Sequence, residues 1–358
     1  MSTGSVADAD SGAGAALARA AAAGIHCLPI PTPFRIGRVN TYLIEDDPLT
    51  LFDSGPNSGT ALDALERALA AHGYRVEDLG LIVISHQHID HLGLVSILAR
   101  RSGAEVAALD LLAPWVGNWS AAMDADDAFA ERMMAEHGIP EDVRHALIGV
   151  SQSYRGWGAS ATVTRPLAGG SELPLRDRAL RVHHRPGHSP TDTIFHDEER
   201  GIVLGADHLI KHISSNPLIS RPLTADGVEA AGGDGGGGET AERPHALEIY
   251  IDSLRATRAM EGVEIVLAGH GEPVTDHVAL IDERFRLHAR RADKIHRLVA
   301  GDGPATAYEI AQSLWGNVAV TQAYLTLSEV LGHVDLLVGD GRVVEQRDGG
   351  VVRFAAVG

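Results

Sequence analysis

Residues 81–93 of the chain are LIVISHQHIDHLG, a short apolar strand that leads directly into three histidines and one aspartate. The carboxyl end of a buried strand is where α/β folds place their ligand sites. A loop at that point can turn four side chains toward one position: His86, His88, Asp90 and His91. Neutral imidazole and carboxylate suit zinc, iron or manganese. The stretch therefore predicts a metal site in a protein of the α/β class.

This spacing resembles the H-x-H-x-D-H pattern of the metallo-β-lactamase fold hydrolases, the superfamily of glyoxalase II, quorum-sensing lactonases and several nucleases. The family's remaining ligands follow in a fixed chain order, and the resemblance assigns them to His188 in PGHSPTDT, Asp207 in GIVLGADHL and His270 in VLAGHGEP. The resemblance covers about residues 25–285 and implies a four-layer αββα fold.

By the family's pattern, two divalent metal ions would each be held by three residues and would share a seventh. The first ion would bind His86, His88 and His188, the second Asp90, His91 and His270, with Asp207 bridging. Two ions about 3.5–4 Å apart lower the pKa of a shared water to near neutral, and the resulting hydroxide attacks a carbonyl or phosphoryl centre. Zinc is the expected metal, with iron or manganese as alternatives, because such a ligand set accepts all three.

Several further residues near these motifs are candidates for supporting roles. The resemblance implies that Asp53, in LFDSGP, supports the site from behind the ligands. Asp192 either orients a ligand histidine or caps a turn. His183 and His184 lie inside the strand before the Pro-Gly-His loop, where at most one of them faces the site, and they are rivals to His188 as the third ligand.

Three residues are candidates for a direct part in catalysis: Asp90, His208 and His212. Asp90 is also one of the expected metal ligands. His208 adjoins Asp207 and His212 lies four residues further on, so each is placed to donate a proton to a leaving group or to orient the substrate. The alternative for both histidines is a position behind the ligands or on the surface.

Composition limits the partners of a chain of 358 residues. The formal net charge of −18 repels phosphate backbones and disfavours general binding of nucleic acid. The single cysteine excludes an internal disulfide framework and fits a reducing compartment. The sequence contains no apolar run long enough to span a membrane and its N-terminus makes a poor secretory signal, so we expect a cytoplasmic protein without membrane contact.

The segments outside the motifs divide the chain further. Residues 1–24, rich in Ala and Gly, are expected to form a flexible start, and 225–244 a disordered glycine-rich surface loop. Residues 110–160 hold three of the four tryptophans and three of the five methionines. We expect there a helical insertion, either a subdomain with its own small core or a lid that supplies an apolar pocket; both can hold.

Residues 286–358 are expected to form a small C-terminal domain. A charged helix over 279–300 precedes two helices and a strand pair that turns at 339–341, a layout that resembles the winged-helix extension of a subgroup of the superfamily. A winged helix can bind nucleic acid. From residue 301 onward, however, three arginines face seven acidic residues, which favours packing or homodimerisation instead.

The sequence therefore predicts a dinuclear-metal hydrolase of small molecules, cleaving a thioester, lactone or other ester whose apolar part rests on the insertion. One alternative is a phosphodiesterase or endoribonuclease of the same fold, for which Arg185, Lys211 and Arg221 are the nearest basic residues. Another is a sulfur dioxygenase with one iron ion held by the same ligands.

Overall fold

The computed structural model describes residues 6–223 and 243–358, and two stacked β-sheets form its centre. The first sheet has its six strands in chain order: β1 (Ile25–Ile30), β2 (Val39–Ile44), β3 (Thr50–Phe52), β4 (Leu81–Val83), β5 (Glu105–Leu109) and β6 (Arg165–Leu167). Strands β1 to β3 pair antiparallel, and β3 to β6 pair parallel.

The second sheet has the order β11-β10-β9-β8-β7, formed by β7 (Glu172–Pro174), β8 (Ala179–His184), β9 (Thr193–Asp197), β10 (Ile202–Ala206) and β11 (Ile265–Ala268). Its strands pair antiparallel except β10 and β11, which pair parallel.

Helices surround the two sheets. In chain order they are α1 (Val6–Ala22), α2 (Gly59–Ala71), α3 (Ile89–Leu92), α4 (Val95–Ser102), α5 (Leu112–Gly117), α6 (Trp119–Glu136), α7 (Glu141–Tyr154), α8 (Ala246–Arg258) and α9 (His277–Asp302). The C-terminal region adds α10 (Ala307–Trp315), α11 (Val318–Thr321), α12 (Ala323–Gly339) and a hairpin of β12 (Val343–Asp348) with β13 (Val351–Ala356).

Three apolar cores hold these layers together, as the predicted αββα arrangement requires. Phe52 and Phe195 meet edge to face between the two sheets, with ring centroids 5.5 Å apart. Leu65 of α2 packs with Leu51 on the outer face of the first sheet. Leu254 of α8 packs on the outer face of the second. The fold is therefore the expected four-layer α/β structure.

The expectation of a flexible start over residues 1–24 is wrong for residues 6–22, which form α1. Alanine has the highest helix propensity, and it fills about half of the positions of α1. Ala16 and Ala20 lie one turn apart, are buried, and join the core between the sheets beside Ile25. Burial of this face adds tertiary packing to the propensity.

The insertion over 110–160 is helical as predicted, but its apolar residues do not form a core of their own. Trp115 and Trp119 belong to the core on the outer face of the first sheet. Phe129 and Met133 belong to a different core, which they share with the C-terminal helices and Phe354. The insertion therefore joins the α/β domain to the C-terminal region.

The C-terminal region has the predicted helices and strand pair, but the strands turn at a different place. Residues 339–341 end α12 and lead into β12, whereas the hairpin turns at Gly349 and Gly350, both with positive φ. Two adjacent glycines supply the positive φ values that a tight hairpin turn needs. The winged-helix likeness of this region stays a prediction.

Two sequence expectations concern the remaining segments. The glycine-rich loop predicted over 225–244 lies outside the described residues except for its last two positions. Among the helices of residues 6–223 and 243–358, none combines the length and apolar character needed to cross a bilayer.

Candidate metal centre

The seven predicted ligands meet at one edge of the two sheets, each just beyond a strand. His86, His88, Asp90 and His91 follow β4, His188 follows β8, Asp207 follows β10, and His270 follows β11. Asp90 and His91 lie on the short helix α3, which begins after His88 and turns both side chains inward. These residues are called the seven-residue cluster below.

Three histidines and one aspartate form the first half of the cluster. His88 Nδ1 lies 3.0 Å from His86 Nε2 and 2.9 Å from His188 Nε2. Together with a carboxylate oxygen of Asp207, ligand atoms of these residues all lie within 4.8 Å of one another. Three imidazole nitrogens and a carboxylate at this spacing fit a divalent metal ion.

Asp90, His91 and His270 form the second half, also with ligand atoms within 4.8 Å of one another. His270 Nε2 lies 3.4 Å from Asp90 Oδ2. Asp207 connects the halves, because its Oδ1 lies 3.4 Å from His91 Nε2 and its Oδ2 lies 3.5 Å from Nε2 of both His188 and His270. His91 Nε2 and Asp207 Oδ1 are buried and have no hydrogen-bond partner within the described chain, as expected of atoms that ligate a metal.

Asp53 fixes the orientation of both halves from beneath. It follows β3, is fully buried, and accepts hydrogen bonds at Oδ2 from His91 Nδ1 at 2.8 Å and from the Ser85 hydroxyl at 2.8 Å. That hydroxyl in turn lies 2.8 Å from His86 Nδ1. The chain of contacts puts the protons on the two Nδ1 atoms and leaves the Nε2 atoms free to face the cluster.

The last histidine is held by the loop before β2. His270 Nδ1 donates to the Arg38 carbonyl at 2.8 Å, and the Asn40 side chain donates to the carbonyls of Ala268 and Gly271 on either side of it. Gly269 is tightly enclosed: a Cβ there would collide with Asp207 Oδ1 and come within 2.8 Å of His91 Cε1. Only glycine leaves room for the ligands at this position.

The two halves of the cluster differ in the pKa values of their histidines. Burial, with neighbouring imidazoles, holds the pKa of His86 well below its usual range and lowers that of His88 to about 3. For His91 and His270 burial is the largest single effect and acts in the same direction, but the neighbouring carboxylates, Asp207 first among them, together outweigh it and raise the pKa of His91 well above its usual range and that of His270 to about 9. The first half therefore presents neutral imidazoles, while the second pairs its imidazoles with carboxylates.

Backbone strain occurs at two strand ends next to the cluster. Asp53 and Ala206, the residue before Asp207, have φ values of 57° and 41°. Non-glycine residues adopt this left-handed region at a cost of about 1–3 kcal/mol, and such residues concentrate at functional sites. Here the unusual turns direct the Asp53 and Asp207 carboxylates toward the histidines.

The rival ligands His183 and His184 and the supporting candidate Asp192 occupy different positions in the structure. His184 contacts the Pro190 carbonyl through Nε2 at 2.8 Å, and His183 points to the outer face of the second sheet, so neither joins the cluster. Asp192 takes the turn-capping alternative, because its carboxylate accepts from the Ser189 backbone at 3.1 Å and from its hydroxyl at 3.0 Å. It thereby closes the loop that carries His188.

The two histidines proposed for catalysis differ sharply in exposure. His208 is buried, and its Nε2 lies 2.8 Å from the Thr257 hydroxyl. His212 is exposed and packs against Gly271, the residue after His270, at the rim of the cluster. Of the two, His212 is therefore the one that a substrate can reach.

Aromatic side chains line the same rim. Phe34 lies in the loop whose Arg38 carbonyl holds His270, and its ring is 5.6 Å from Tyr154 and 6.4 Å from Trp157. The Trp157 carbonyl accepts from the Asn57 backbone at 2.7 Å, which ties the end of the insertion to the loop after β3. The name aromatic rim is used for Phe34, Tyr154 and Trp157.

Sequence reasoning missed the Arg38 carbonyl and Gly269, because backbone groups and close approaches carry no residue-type pattern. Ser85 directly precedes His86, and a hydroxyl beside a ligand histidine was the one available signal. The sequence does not point to Phe34 either, because the two residues of the insertion that it contacts, Tyr154 and Trp157, lie more than a hundred positions away.

Comparison with known proteins agrees with this geometry. The family model described as the metallo-beta-lactamase superfamily matches residues 35–270. A probable metallo-hydrolase of Bacillus subtilis, YqjP, is 30% identical over 325 residues, covering 91% of this chain and 95% of that protein.

Two crystal structures are similar over 93% of this chain. A metallo-beta-lactamase family protein from Thermus thermophilus has a TM-score of 0.73 and 25% identity over 99% of its length. A beta-lactamase domain protein from Burkholderia ambifaria has a TM-score of 0.74 and 23% identity over 92% of its length, a likeness of fold.

Proposed function

The chain belongs to the metallo-beta-lactamase superfamily and is a metal-dependent hydrolase, and we propose that it cleaves an ester-type bond of a small molecule. The reaction would use two divalent metal ions, and zinc is the metal we propose for both. The bond is a thioester, a lactone or another ester, and the substrate carries an apolar part. The observation that carries the proposal is the position of Asp207 between two complete ligand groups.

In this proposal His86, His88 and His188 would hold the first ion and Asp90, His91 and His270 the second, with Asp207 lying between the two groups. Two ions bound there would supply a water of lowered pKa and would polarise the bond to be cleaved. The residues of the chain hold the ligands in place: Asp53 and Ser85 fix the proton positions on His86 and His91, and the Arg38 carbonyl does so on His270.

The exposed imidazole of His212 lies beside Gly271 at the rim, where it can give a proton to the leaving group. Asp90 serves as a ligand. His208 is buried and its Nε2 atom is engaged by Thr257, so we assign His208 to packing behind the site rather than to the reaction.

The aromatic rim supports a substrate with an apolar part. Tyr154 is 42% exposed and Ile36, in the same loop as Phe34, is 38% exposed, so apolar surface is available beside the cluster. Aromatic side chains with a few polar groups are the usual lining of small-molecule sites. An acyl chain or an aromatic ring placed there would position its carbonyl over the ligands.

The basic residues near the site argue against the phosphodiesterase alternative. Lys211 Nζ is paired with Glu272 at 2.6 Å, Arg221 Nε with Asp126 at 3.0 Å, and Arg185 Nε donates to the Thr257 hydroxyl at 3.2 Å. Each of the three cations that the sequence offered is therefore engaged by the chain itself. Phosphate backbones are bound chiefly by Lys and Arg that remain available.

The test is hydrolysis of a matched panel by the zinc-loaded protein: a thioester, a lactone, an aryl ester and an aryl phosphodiester. We expect turnover of at least one carbonyl substrate and none of the phosphodiester, with His270→Ala as the inactive control. Turnover of the phosphodiester alone would refute the proposal. Metal content separates the dioxygenase alternative, because one iron per chain with oxygen uptake would replace two ions per chain with hydrolysis.

A further inference from the structure

A second group of metal-binding residues lies on the outer face of the second sheet. Along β8 and β9 the side chains alternate, so that Val182 and Phe195 fill the core between the sheets. His183 and His196 therefore point to the opposite face, the one that α8 covers, and Glu198 follows at the end of β9. None of these three residues belongs to the seven-residue cluster.

The geometry of the three side chains suits one metal ion. Ligand atoms of His183, His196 and Glu198 all lie within 4.8 Å of one another. His196 is only 4% exposed, and the Nε2 atoms of both histidines are buried without a hydrogen-bond partner in the described chain. Burying an imidazole nitrogen without a hydrogen-bond partner costs free energy, and a bound metal ion would offset that cost.

The protonation of the two histidines is also right for ligation. Burial, with the charge of Arg185 second, lowers the pKa of His183 to about 4, and burial lowers the pKa of His196 as well. Both are therefore neutral near pH 7, as metal ligation requires. Glu198 is exposed, and its carboxylate, which lies 3.5 Å from Arg181 Nε, is the one negative charge of the group.

We propose that His183, His196 and Glu198 form a third metal site, which binds one divalent first-row transition ion, with Zn²⁺ as the best fit. Two imidazoles and a carboxylate are a common zinc ligand set, and bonds of about 2.0–2.2 Å would draw the three side chains slightly closer together. The ion would join β8 to β9, the strands that flank the loop carrying His188. It shares no ligand with the seven-residue cluster, so its role is to stabilise the pairing of these two strands.

Equilibrium dialysis against Zn²⁺ followed by elemental analysis tests this site in the full chain. We expect His183→Gln to bind one zinc ion per chain fewer than the wild type, and Glu198→Gln to bind the third ion more weakly. Glu199→Gln is the matched control, because Glu199 is the adjacent exposed glutamate and lies outside the group. It should retain the wild-type zinc content.

The difference between variants identifies the site whatever the seven-residue cluster holds, so the result does not depend on the proposed function. Hydrolysis should be unchanged in His183→Gln, and thermal unfolding of the variants without added zinc checks that they fold. Equal zinc contents in the wild type, His183→Gln and Glu198→Gln would overturn the proposal. A loss of more than one equivalent in His183→Gln, with Glu198→Gln at the wild-type value at every zinc concentration, would overturn it too.

Discussion

The Asp53 carboxylate lies 2.8 Å from His91 Nδ1, and both side chains are fully buried beneath the seven-residue cluster. Through Ser85 the same carboxylate also reaches His86, so one residue at the end of β3 orients a histidine in each half of the cluster. A carboxylate behind a ligand histidine fixes its tautomer and raises its basicity. Asp53 therefore orients a histidine in both ligand groups, although Asp53 is not itself one of the seven ligands.

Replacement of this carboxylate tests its influence on metal binding. Asp53→Asn keeps the shape but removes the charge, and we expect the affinity for Zn²⁺ to fall about 10–100-fold. A competition titration with a chromophoric chelator measures the affinity. Asp63→Asn on the exposed face of α2 is the control and should bind zinc as the wild type does. Unchanged affinity in a folded Asp53→Asn protein would contradict the assigned role.

Asp207 connects the two ligand groups, so its loss should affect both. We expect Asp207→Ala to abolish hydrolysis and to lower the metal content, because no other carboxylate lies within reach of His91, His188 and His270 together among the described residues. Activity and elemental analysis of the same preparation provide the measurement. Full activity of a folded Asp207→Ala protein would exclude a dinuclear mechanism.

Gly269 leaves space that the cluster requires. In Gly269→Ala the new methyl group would meet Asp207 Oδ1 and His91 Cε1, and the ligands would have to move. A displacement of about 1 Å in a catalytic group can cost about 100-fold in rate, so we expect a kcat loss of that order. Gly149→Ala on α7, where a methyl group meets nothing within 4 Å, should keep full activity. Similar rates for the two variants would show that the site tolerates the shift.

The contrast between His212 and His208 predicts different losses. His212→Gln should lower kcat by about 10²–10⁴-fold with metal content unchanged, because a proton donor is removed and no ligand is touched. The kcat deficit should shrink for a substrate whose leaving group needs no proton, such as a nitrophenolate. If His208→Gln instead shows that substrate dependence, the assignments of the two histidines must be exchanged.

A pair of buried histidines predicts how stability depends on pH. His288 Nδ1 and His333 Nε2 lie 3.2 Å apart between α9 and α12, and His333 Nδ1 donates to the Glu329 carbonyl at 2.7 Å. Burial lowers the pKa of each to about 4. Between pH 6.5 and 4 the unfolded chain takes up protons there while the folded chain does not, so the free energy of unfolding falls as the pH falls.

The loss is at most about 1.4 kcal/mol per pH unit for each histidine, and it ends above pH 6.5, where both states are neutral. Denaturant unfolding at several pH values gives the slope of the free energy of unfolding against pH. This slope should be shallower for the double variant His288→Gln, His333→Gln than for the wild type. His145→Gln, which removes an exposed histidine of α7, should keep the wild-type slope. Parallel slopes for all three proteins would show that the pair is protonated in the folded state.

Local sequence was sufficient for much of the fold. The apolar run before Ser85 predicts β4, and residues 110–160 form helices as expected. The sequence expectation was wrong where tertiary contacts decide the local structure. Residues 6–22 are helical because Ala16 and Ala20 pack into the core between the sheets. The hairpin turn lies at Gly349 and Gly350, since α12 continues through Gly339 and leaves residues 339–341 as its end.

For the site, the sequence by itself determined which residues carry metal-binding chemistry, because imidazole and carboxylate at strand ends are visible as residue types in a fixed order. Only the tertiary structure decided how they are held. Asp53 meets His91 across 38 positions, and Arg38 meets His270 across 232. The same holds for the group of His183, His196 and Glu198, which strand pairing brings together. Distances between side chains depend on the pairing of distant strands, and no spacing along the chain encodes that pairing.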